Sequence, residues 1–335
     1  MRVAVVGAGP AGCAAAIALC QAGRQVVLFG DGLDGVGEQL HPAARPLLAR
    51  LGLERLPGQL DCVGVRAAWH SPELEEQHFL SHPFGNGWLL DRARFGETLR
   101  QAAVAAGAVL RAPARLTGLA RESTAPHGWR LRLSDGEEAC DWLVDATGRR
   151  GAVARLLGVK RLRFDRQVAL VGWLATDRAD DVDATLTVEA TSSGWWYGCR
   201  LPRRRRVAGF VTASRPDART WESRLRATRH LGRLVEGYRV EGAPVARAAD
   251  STILERCFGP RWIAIGDAAV SYDPLASRGL VGALSSGLEA GSLVGAPEAR
   301  LAAWQAGREA SFATYRAERA RLHGALTDRG RSPHR

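Results

Sequence analysis

The sequence has almost no lysine. Of its 46 basic residues, 45 are arginine, because Lys160 is the only lysine, and the formal net charge is +11. The six cysteines include no C-x-x-C pair and have no histidine cluster beside them, which argues against a metal site or a disulfide framework. No apolar run reaches the roughly 18 residues that a membrane span requires, and no cleavable signal precedes the first strand pattern. These absences predict a cytoplasmic protein without a metal or a membrane partner.

The length and composition are those of a globular protein. A chain of 335 residues is long enough for about two domains, and 46% hydrophobic with 24% charged residues is ordinary for a folded chain. Excess basic charge can indicate nucleic acid, an anionic membrane or an acidic partner. The arginines are scattered along the chain and do not alternate with aromatic residues on which nucleic-acid bases could stack, so we predict no nucleic-acid partner.

The first thirty residues have the pattern strand, tight turn, helix, strand. The turn is Gly7-Ala-Gly9-Pro10-Ala11-Gly12, between apolar strands at 2–6 and 25–29. Gly7 allows the turn, Gly9 lets the backbone approach a diphosphate, and Gly12 lets helix and strand pack closely. The diphosphate would rest on the helix N-terminus. The pattern predicts dinucleotide binding, with a glycine-rich turn that binds nothing as the alternative.

One element of this pattern is missing. An acidic residue that holds a ribose hydroxyl is expected at the end of the second strand. Here Phe29 is followed by Gly30, and Asp31 comes one position later. Either Asp31 takes this role, or other groups hold the adenosine end.

Further polar residues follow strands or begin helices. Asp91 has the position of an N-cap for a helix at 92–106, which puts Arg92 in the first turn, where a nearby anion would suit it. Buried strands end just before Thr147-Gly148 and again before Asp267, and such strand ends bind ligands in open α/β sheets. A small-residue helix is predicted from Gly279 to about residue 294.

Between residues 166 and 213 the pattern changes to antiparallel strands, predicted at 167–176, 184–190, 194–201 and 207–213. Alternation along the third strand puts Trp195 and Tyr197 on one face and Trp196 on the other. One tryptophan then packs in the core and its neighbour faces a cavity, unless both are core residues. The run 203–206 is predicted to be a solvent-exposed hairpin turn.

Together these motifs resemble those of a known superfamily. Its signature is carried by Gly7-x-Gly9-x-x-Gly12, Gly37-Glu38, Gly87-Trp88-x-x-Asp91-Arg92, Ala146-Thr147-Gly148, Trp195-Trp196-Tyr197 and Gly266-Asp267…Asp273-Pro274-Leu275…Gly279. The chain resembles FAD-dependent monooxygenases of the p-hydroxybenzoate hydroxylase and flavin-dependent halogenase superfamily. Within that group it is most similar to flavoproteins that hydroxylate tryptophan in precursors of tryptophylquinone enzymes.

The resemblance implies an α/β fold: a Rossmann-like FAD-binding domain of glutathione-reductase type, an inserted antiparallel substrate domain and a C-terminal helix. The FAD domain would comprise 1–65, 88–160 and 250–300, the substrate domain 66–87 and 161–249, and the helix with its tail 301–335. The implied FAD-binding residues are Gly7, Gly9, Pro10, Ala11, Gly12, Asp31, Glu38, Gln39, Arg92, Thr147, Gly148, Asp267, Gly279 and Leu280. Glu38 and Gln39 resemble the halogenase strap between the flavin and substrate sites.

The implied reaction is hydroxylation of an aromatic ring through a flavin C4a-hydroperoxide, with O₂ and with reducing equivalents from NAD(P)H or a flavin reductase. The expected substrate is a tryptophan in an acidic precursor polypeptide that docks on a basic rim. Trp195, Trp196 or Tyr197 would stack on the indole, and Glu189 would orient its N–H or assist proton removal, unless Glu189 is a surface residue.

Three alternatives remain open at this point. The first is a hydroxylase or halogenase of a small indole or phenol, although the lysine that halogenases carry between the strap and the Arg92 helix is absent from this region. The second is a non-catalytic FAD-binding maturation chaperone. The third is a flavin reductase of isoprenoid double bonds, which predicts an apolar tunnel in the inserted domain.

Overall fold

The computed structural model describes residues 1–30, 36, 38–122 and 128–329, with side chains as far as residue 324. Asp31 and Gly37 of the predicted flavin site lie outside the described residues. The helices of the described part are α1 (Pro10–Gln21), α2 (Arg45–Arg50), α3 (Arg92–Ala105), α4 (Ala152–Leu156), α5 (Trp221–Arg226), α6 (Leu231–Leu234), α7 (Gly279–Leu293) and α8 (Glu298–Arg329).

A six-stranded sheet forms the centre of the nucleotide-binding domain. Its strands lie in the order Phe258–Gly259, Trp262–Ala264, Trp142–Asp145, Arg2–Val6, Gln25–Phe29 and Val109–Arg111. All neighbours pair in parallel except the first two. Val6 pairs with Asp145, and Asp145 with Ala264, so the segments that follow these strands meet at one sheet edge. The predicted Rossmann-like α/β fold is confirmed.

Small residues let α1 and α7 pack closely. A Cβ added to Gly287 would lie 2.5 Å from the carbonyl oxygen of Ala11, and one added to Gly291 would lie 2.9 Å from the Cβ of Ala18. The two helices therefore run in the same direction, and the first turns of α7 extend beyond the N-terminus of α1. Both N-termini come to the sheet edge where the motif segments meet.

A seven-stranded sheet forms the inserted domain. Its order is Arg239–Ala248, Val168–Ala175, Arg205–Thr212, Gly194–Leu201, Thr185–Thr191, Gly64–Ala68 and Glu75–His78. The four strands predicted between 166 and 213 are present, and the other three were not predicted. All pairs are antiparallel except that of Thr185–Thr191 with Gly64–Ala68, which is parallel.

Three small sheets complete the strands of the described part. They join Leu116–Arg121, Trp129–Leu133 and Gly136–Cys140; Arg161–Arg163, Thr252–Leu254 and Val270–Ser271; and Gln39–Leu40, Gly87–Leu89 and Leu60–Cys62. Cys140 ends the hairpin of the first small sheet, and Trp142 begins a strand of the parallel sheet. The predicted domain division at 160/161 is displaced, since Arg161–Arg163 pairs with strands of the nucleotide-binding domain.

The prediction of a solvent-exposed turn at 203–206 is partly wrong. Arg203 and Arg204 have φ values of 65° and 57° and form the turn. Arg206, however, is buried, and its guanidinium lies 2.8 Å from Asp181 and 3.1 Å from Asp183. A buried arginine of this kind is retained only because its charge is paired.

Helix α8 bridges the two domains. The indole N–H of Trp69, beside the inserted sheet, donates to the carbonyl oxygen of Leu322 at 3.0 Å. Arg319 binds the buried carboxylate of Asp273 at 2.9 Å. No helix within the described ranges is both long and apolar enough to cross a membrane.

Candidate active site

The glycine-rich turn has the geometry of an anion cradle. A Cβ on Gly7 would lie 2.5 Å from the carbonyl carbon of Ala146, and one on Gly12 would overlap the carbonyl oxygen of Gly7. A Cβ on Gly9 would instead meet no heavy atom within 4 Å. Gly9 is the N-cap of α1, and no side chain caps that helix. The first-turn N–H groups are therefore left for an anionic ligand in open space.

The neighbouring turn is stabilised by a buried carboxylate. Asp145 accepts hydrogen bonds from the N–H and hydroxyl of Thr147, at 3.0 and 2.6 Å, and from the N–H groups of Val153 and Ala154. Burial nevertheless raises its pKa, against the effect of these bonds. Thr147 thus uses its side chain to fix the turn, and Gly148, with φ of 64° and open space where a Cβ would be, faces the site.

Asp267 lies at the same edge, at the end of its strand. Its carboxylate remains 32% exposed and is 3.5 Å from the guanidinium of Arg149. Burial raises the pKa of Asp267, and the charges of Arg149 and Arg161 oppose that rise. Arg161 also donates to the backbone carbonyls of Asp267 and Ala268. The sequence did not single out either arginine, because 45 arginines give no signal for two of them.

The start of α7 is open as well. Cβ atoms on Gly279 and Gly282 would meet nothing within 4 Å, and no side chain caps the helix. A cleft of about 860 Å³ runs between α7 and α8, lined among others by His41, Arg278 and Trp304. The cleft adjoins the helix end at which Gly279 and Leu280 were predicted to meet the flavin edge.

These features fit FAD. The uncapped start of α1, the uncapped start of α7 and the partly exposed carboxylate of Asp267 meet along one sheet edge. They match the diphosphate, the flavin edge and the hydroxyl groups of FAD in that order. The acidic residue expected at the end of the second strand is absent because position 30 has no space for it: a Cβ added to Gly30 would lie 2.8 Å from the Cβ of Ala8. That site has no room for any side chain.

Arg92 and the strap both adjoin the strand Gly87–Leu89, which Arg92 follows in the chain and with which the strap pairs. Asp91 caps α3 as predicted, accepting from the N–H of Arg94 at 3.1 Å, and the half-buried Arg92 lies 5.5 Å from the ring of Phe95. The strand Gln39–Leu40 pairs with Gly87–Leu89, next to the inserted sheet. The strap therefore lies close to the inserted sheet.

The strap residues differ in their neighbours. Glu38 is 3% exposed, and its charge adds to the effect of burial in raising the pKa of Tyr197 and of Cys199. The amide of Gln39 lowers the pKa of the Cys62 thiol, although burial outweighs it. Glu38 thus lies near the inserted sheet. The FAD-binding roles predicted for Glu38, Gln39 and Arg92 stay predictions.

One face of the inserted sheet meets the flavin domain. Trp195 and Tyr197 belong to an apolar cluster against which Val36 of the strap and Leu275 pack. The rings of Trp195 and Tyr197 are 5.8 Å apart. Trp195 is 2% exposed, its indole N–H has no acceptor among the described residues, and Tyr197 is only half-buried. Tyr197 is thus the residue of this pair that remains partly accessible.

Trp196 does not face the site, and its predicted contact with substrate is wrong. It is 1% exposed and packs between Phe210 and Trp221, at ring distances of 4.8 and 5.7 Å. Helices α5 and α6 cover this outer face. The predicted alternation of Trp195 and Trp196 between the two faces is confirmed. The packing of Trp196 against Phe210 and Trp221 shows that Trp196 is the one on the outer face.

The role predicted for Glu189 is also wrong. Glu189 pairs with Trp196 across the strands and shares its outer face. Its carboxylate accepts from the N–H groups of Arg229, His230 and Leu231 at 2.7, 3.0 and 3.0 Å. It therefore holds the start of α6 and is turned away from the flavin domain.

The fold and the cradle define an FAD-dependent oxidoreductase. The model of the tryptophan halogenase family matches residues 58–290, and that of glucose inhibited division protein A matches residues 2–47. The chain belongs to the tryptophan halogenase family.

Relatives agree with this class. LodB of Marinomonas mediterranea, which carries the name of an FAD-dependent oxidoreductase, is 28% identical over 84% of this chain and 81% of its own. Menaquinone reductase of Mycobacterium tuberculosis is 30% identical over 87% and 74%. Among solved structures, the peptidyl tryptophan dihydroxylase QhpG has a TM-score of 0.70 at 27% identity, covering 88% of this chain and 66% of its own. The myxobacterial chondrochloren halogenase CndH has a TM-score of 0.80 at 21% identity, covering 97% and 81%.

Proposed function

We propose that this protein is an FAD-dependent monooxygenase that hydroxylates the ring of a tryptophan side chain in a precursor polypeptide. The observation that carries this proposal is the chemistry of the substrate-facing wall. It presents the aromatic ring of Tyr197 and no lysine, because Lys160 is exposed and lies beside a small sheet of the nucleotide-binding domain. The likeness to a peptidyl tryptophan dihydroxylase supports the choice of substrate.

The net reaction is balanced by O₂ and a two-electron donor of the dihydronicotinamide or reduced-flavin class. One oxygen atom enters the ring in place of a hydrogen, and the other leaves as water after two electrons and two protons are added. Bound FAD, when reduced, would pass these electrons to O₂. Gly9 and the start of α1 would hold its diphosphate, Asp267 its hydroxyl groups, and the start of α7 its flavin edge.

The residues of the chain bind the substrate and exclude water. Val36, Leu275 and Tyr197 form an apolar boundary between the flavin edge and the inserted sheet. Burial and the charge of Glu38 raise the pKa of Tyr197, so its hydroxyl stays protonated at neutral pH and can donate a hydrogen bond. Oxygen transfer to an electron-rich ring needs such a dry, preorganised space more than a strong acid.

The positive charge supports a polypeptide substrate of acidic character. FAD brings only two negative charges at its diphosphate, which leaves most of the +11 unmatched. Opposite charge on a partner speeds association and fixes its orientation. We therefore propose that an acidic precursor docks around the substrate cavity, and that a flavin reductase or NAD(P)H supplies electrons.

The test is incubation of FAD-loaded protein with dithionite-generated reduced flavin, O₂ and an acidic tryptophan-containing polypeptide. Mass spectrometry should show a gain of one or two oxygen atoms on tryptophan, and ¹⁸O₂ should label them. A chloride- or bromide-dependent mass gain would instead show a halogenase. Gain on free tryptophan alone would contradict the polypeptide substrate.

Two other outcomes would contradict the proposal. Reduction of an isoprenoid double bond, without oxygen incorporation, would show a reductase, and a menaquinone reductase is among the relatives of this chain. Tight binding of the polypeptide with no chemical change would favour a chaperone. In both cases the monooxygenase proposal would be withdrawn.

A further inference from the structure

Tyr197 lies across a glycine of the next strand. In the antiparallel pairing, Tyr197 is directly opposite Gly209. A Cβ added to Gly209 would lie 2.6 Å from the Tyr197 hydroxyl oxygen, and closer still to two of its ring carbons. The phenol end of the ring therefore occupies the space that any side chain at 209 would need.

The backbone does not require glycine at this position. Gly209 lies within the strand Arg205–Thr212, outside the region of positive φ that favours glycine. Glycine inside a strand weakens it, because it adds chain entropy and packs nothing. The observation that accounts for Gly209 is the close approach of the Tyr197 ring.

The neighbours of Tyr197 hold the ring on the flavin side. Trp195, on the same strand and face, is packed against Trp69 at a ring distance of 6.0 Å. Trp195, Tyr197 and Leu275 belong to one apolar cluster, and Leu275 directly follows Asp273-Pro274 in the family motif. Trp195 is fully buried and Tyr197 is only partly buried, so Tyr197 is the more accessible residue of this aromatic wall.

We propose that Gly209 is a specificity-determining residue. By leaving room for the Tyr197 ring to lie across the sheet, it creates a flat floor on which a planar aromatic substrate of the indole class stacks. This inference rests on the proposed function, since it assumes an aromatic substrate. Offset stacking between aromatic rings favours such a surface.

A matched control exists in the same sheet. A Cβ on Gly172 would lie 2.6 Å from the ring of Trp221, which packs on the outer face. Gly172→Ala and Gly209→Ala thus introduce the same methyl group against an aromatic ring, on opposite sides of one sheet. Both should lower thermal stability, but only Gly209→Ala should affect the substrate.

The experiment measures binding of N-acetyltryptophanamide to the oxidised FAD-loaded protein, from the change in flavin absorbance. We expect Gly209→Ala to raise the Kd at least tenfold, with the Kd for FAD within twofold of wild type, and Gly172→Ala to leave both unchanged. Tyr197→Ala should also raise the Kd at least tenfold, and adding Gly209→Ala to it should have no further effect, because the methyl group then fills vacated space.

Three results would overturn the inference: an unchanged Kd in Gly209→Ala, an equal rise in Gly172→Ala, or additive effects in the double variant. If Gly209→Ala does not fold, Tyr197→Ala alone decides, and a rise below threefold refutes the stacking floor. Because the probe binds without turnover, wild-type protein that binds it but incorporates no oxygen would refute the monooxygenase proposal and not the floor.

Discussion

Replacing Glu189 tests whether this buried carboxylate is structural. Its carboxylate is 5% exposed and accepts three backbone N–H groups at the start of α6. Hydrogen bonds to a charged group contribute roughly 1.5–3 kcal/mol each, whereas loss of a single N-cap removes about 1 kcal/mol. Because the three bonds share one carboxylate, we expect Glu189→Ala to lower the free energy of unfolding by about 3 kcal/mol.

The assay has two parts. Each 1 kcal/mol shifts the melting temperature by about 2–4 °C in a domain of 150–250 residues, so Glu189→Ala should melt about 6–12 °C below wild type. Oxygen incorporation is then measured at a temperature at least about 15 °C below that midpoint, where the variant is fully folded. At that temperature kcat and KM should stay within about threefold of wild type, because Glu189 is turned away from the flavin domain. A threefold change corresponds to less than about 1 kcal/mol.

Asp217→Asn is the control for a cap that matters little. Asp217 is exposed and accepts from one backbone N–H, that of Arg219, at 2.9 Å. Its loss should leave both melting and turnover close to wild type. One result for Glu189→Gln would refute the interpretation that Glu189 is structural: an unchanged melting temperature and FAD affinity together with a loss of kcat of about 100-fold or more. A loss of that size is expected when an acid–base group is removed.

Three further outcomes follow from the cradle and the charge. Gly9→Ala should fold as wild type but bind FAD at least tenfold more weakly in a fluorescence titration. Gly12→Ala should not fold, because its Cβ would overlap the carbonyl oxygen of Gly7. Equal behaviour of the two variants would contradict the anion cradle. Gly30→Glu should weaken FAD binding and not restore a ribose contact, because its Cβ meets Ala8, and Gly30→Glu with Ala8→Gly should recover part of the loss. Binding of an acidic polypeptide should weaken steadily as the salt concentration rises from about 0.05 to 0.5 M, because the screening length falls below about 10 Å. Binding of the uncharged N-acetyltryptophanamide should not change. Polypeptide binding that does not depend on salt would contradict a docking role for the arginines.

The nucleotide-binding half could be predicted because its signals are local. Strand, turn and helix follow one another between Arg2 and Phe29, and an N-cap such as Asp91 acts on the residues next to it. The strand Arg239–Ala248 was missed because it carries Gly242, Pro244 and three charged residues. It lies at a sheet edge, where these residues do not interrupt pairing on both sides.

The roles of Trp196 and Glu189 could not be predicted because both faces of the inserted sheet are covered. Alternation separates two sets of residues but does not say which set meets the flavin domain. That is decided by α5 and α6, which cover the Trp196 face. Gly209 gave no signal at all, since a glycine that admits a ring from the next strand looks like any other glycine in the sequence.

Four of the buried carboxylates are held by partners within the fold. Asp145 and Glu189 hold helix starts, Asp250 pairs with arginines, and Asp273 binds Arg319 and His323. Groups fixed in this way stabilise the fold and cannot move to take a proton from a substrate. For hydroxylation of an electron-rich ring this is no obstacle, because the ring proton leaves readily once oxygen has bonded. In the proposed reaction the chain would hold the substrate ring on Tyr197 and keep water away, and selectivity would then depend on the shape of that wall and on Gly209.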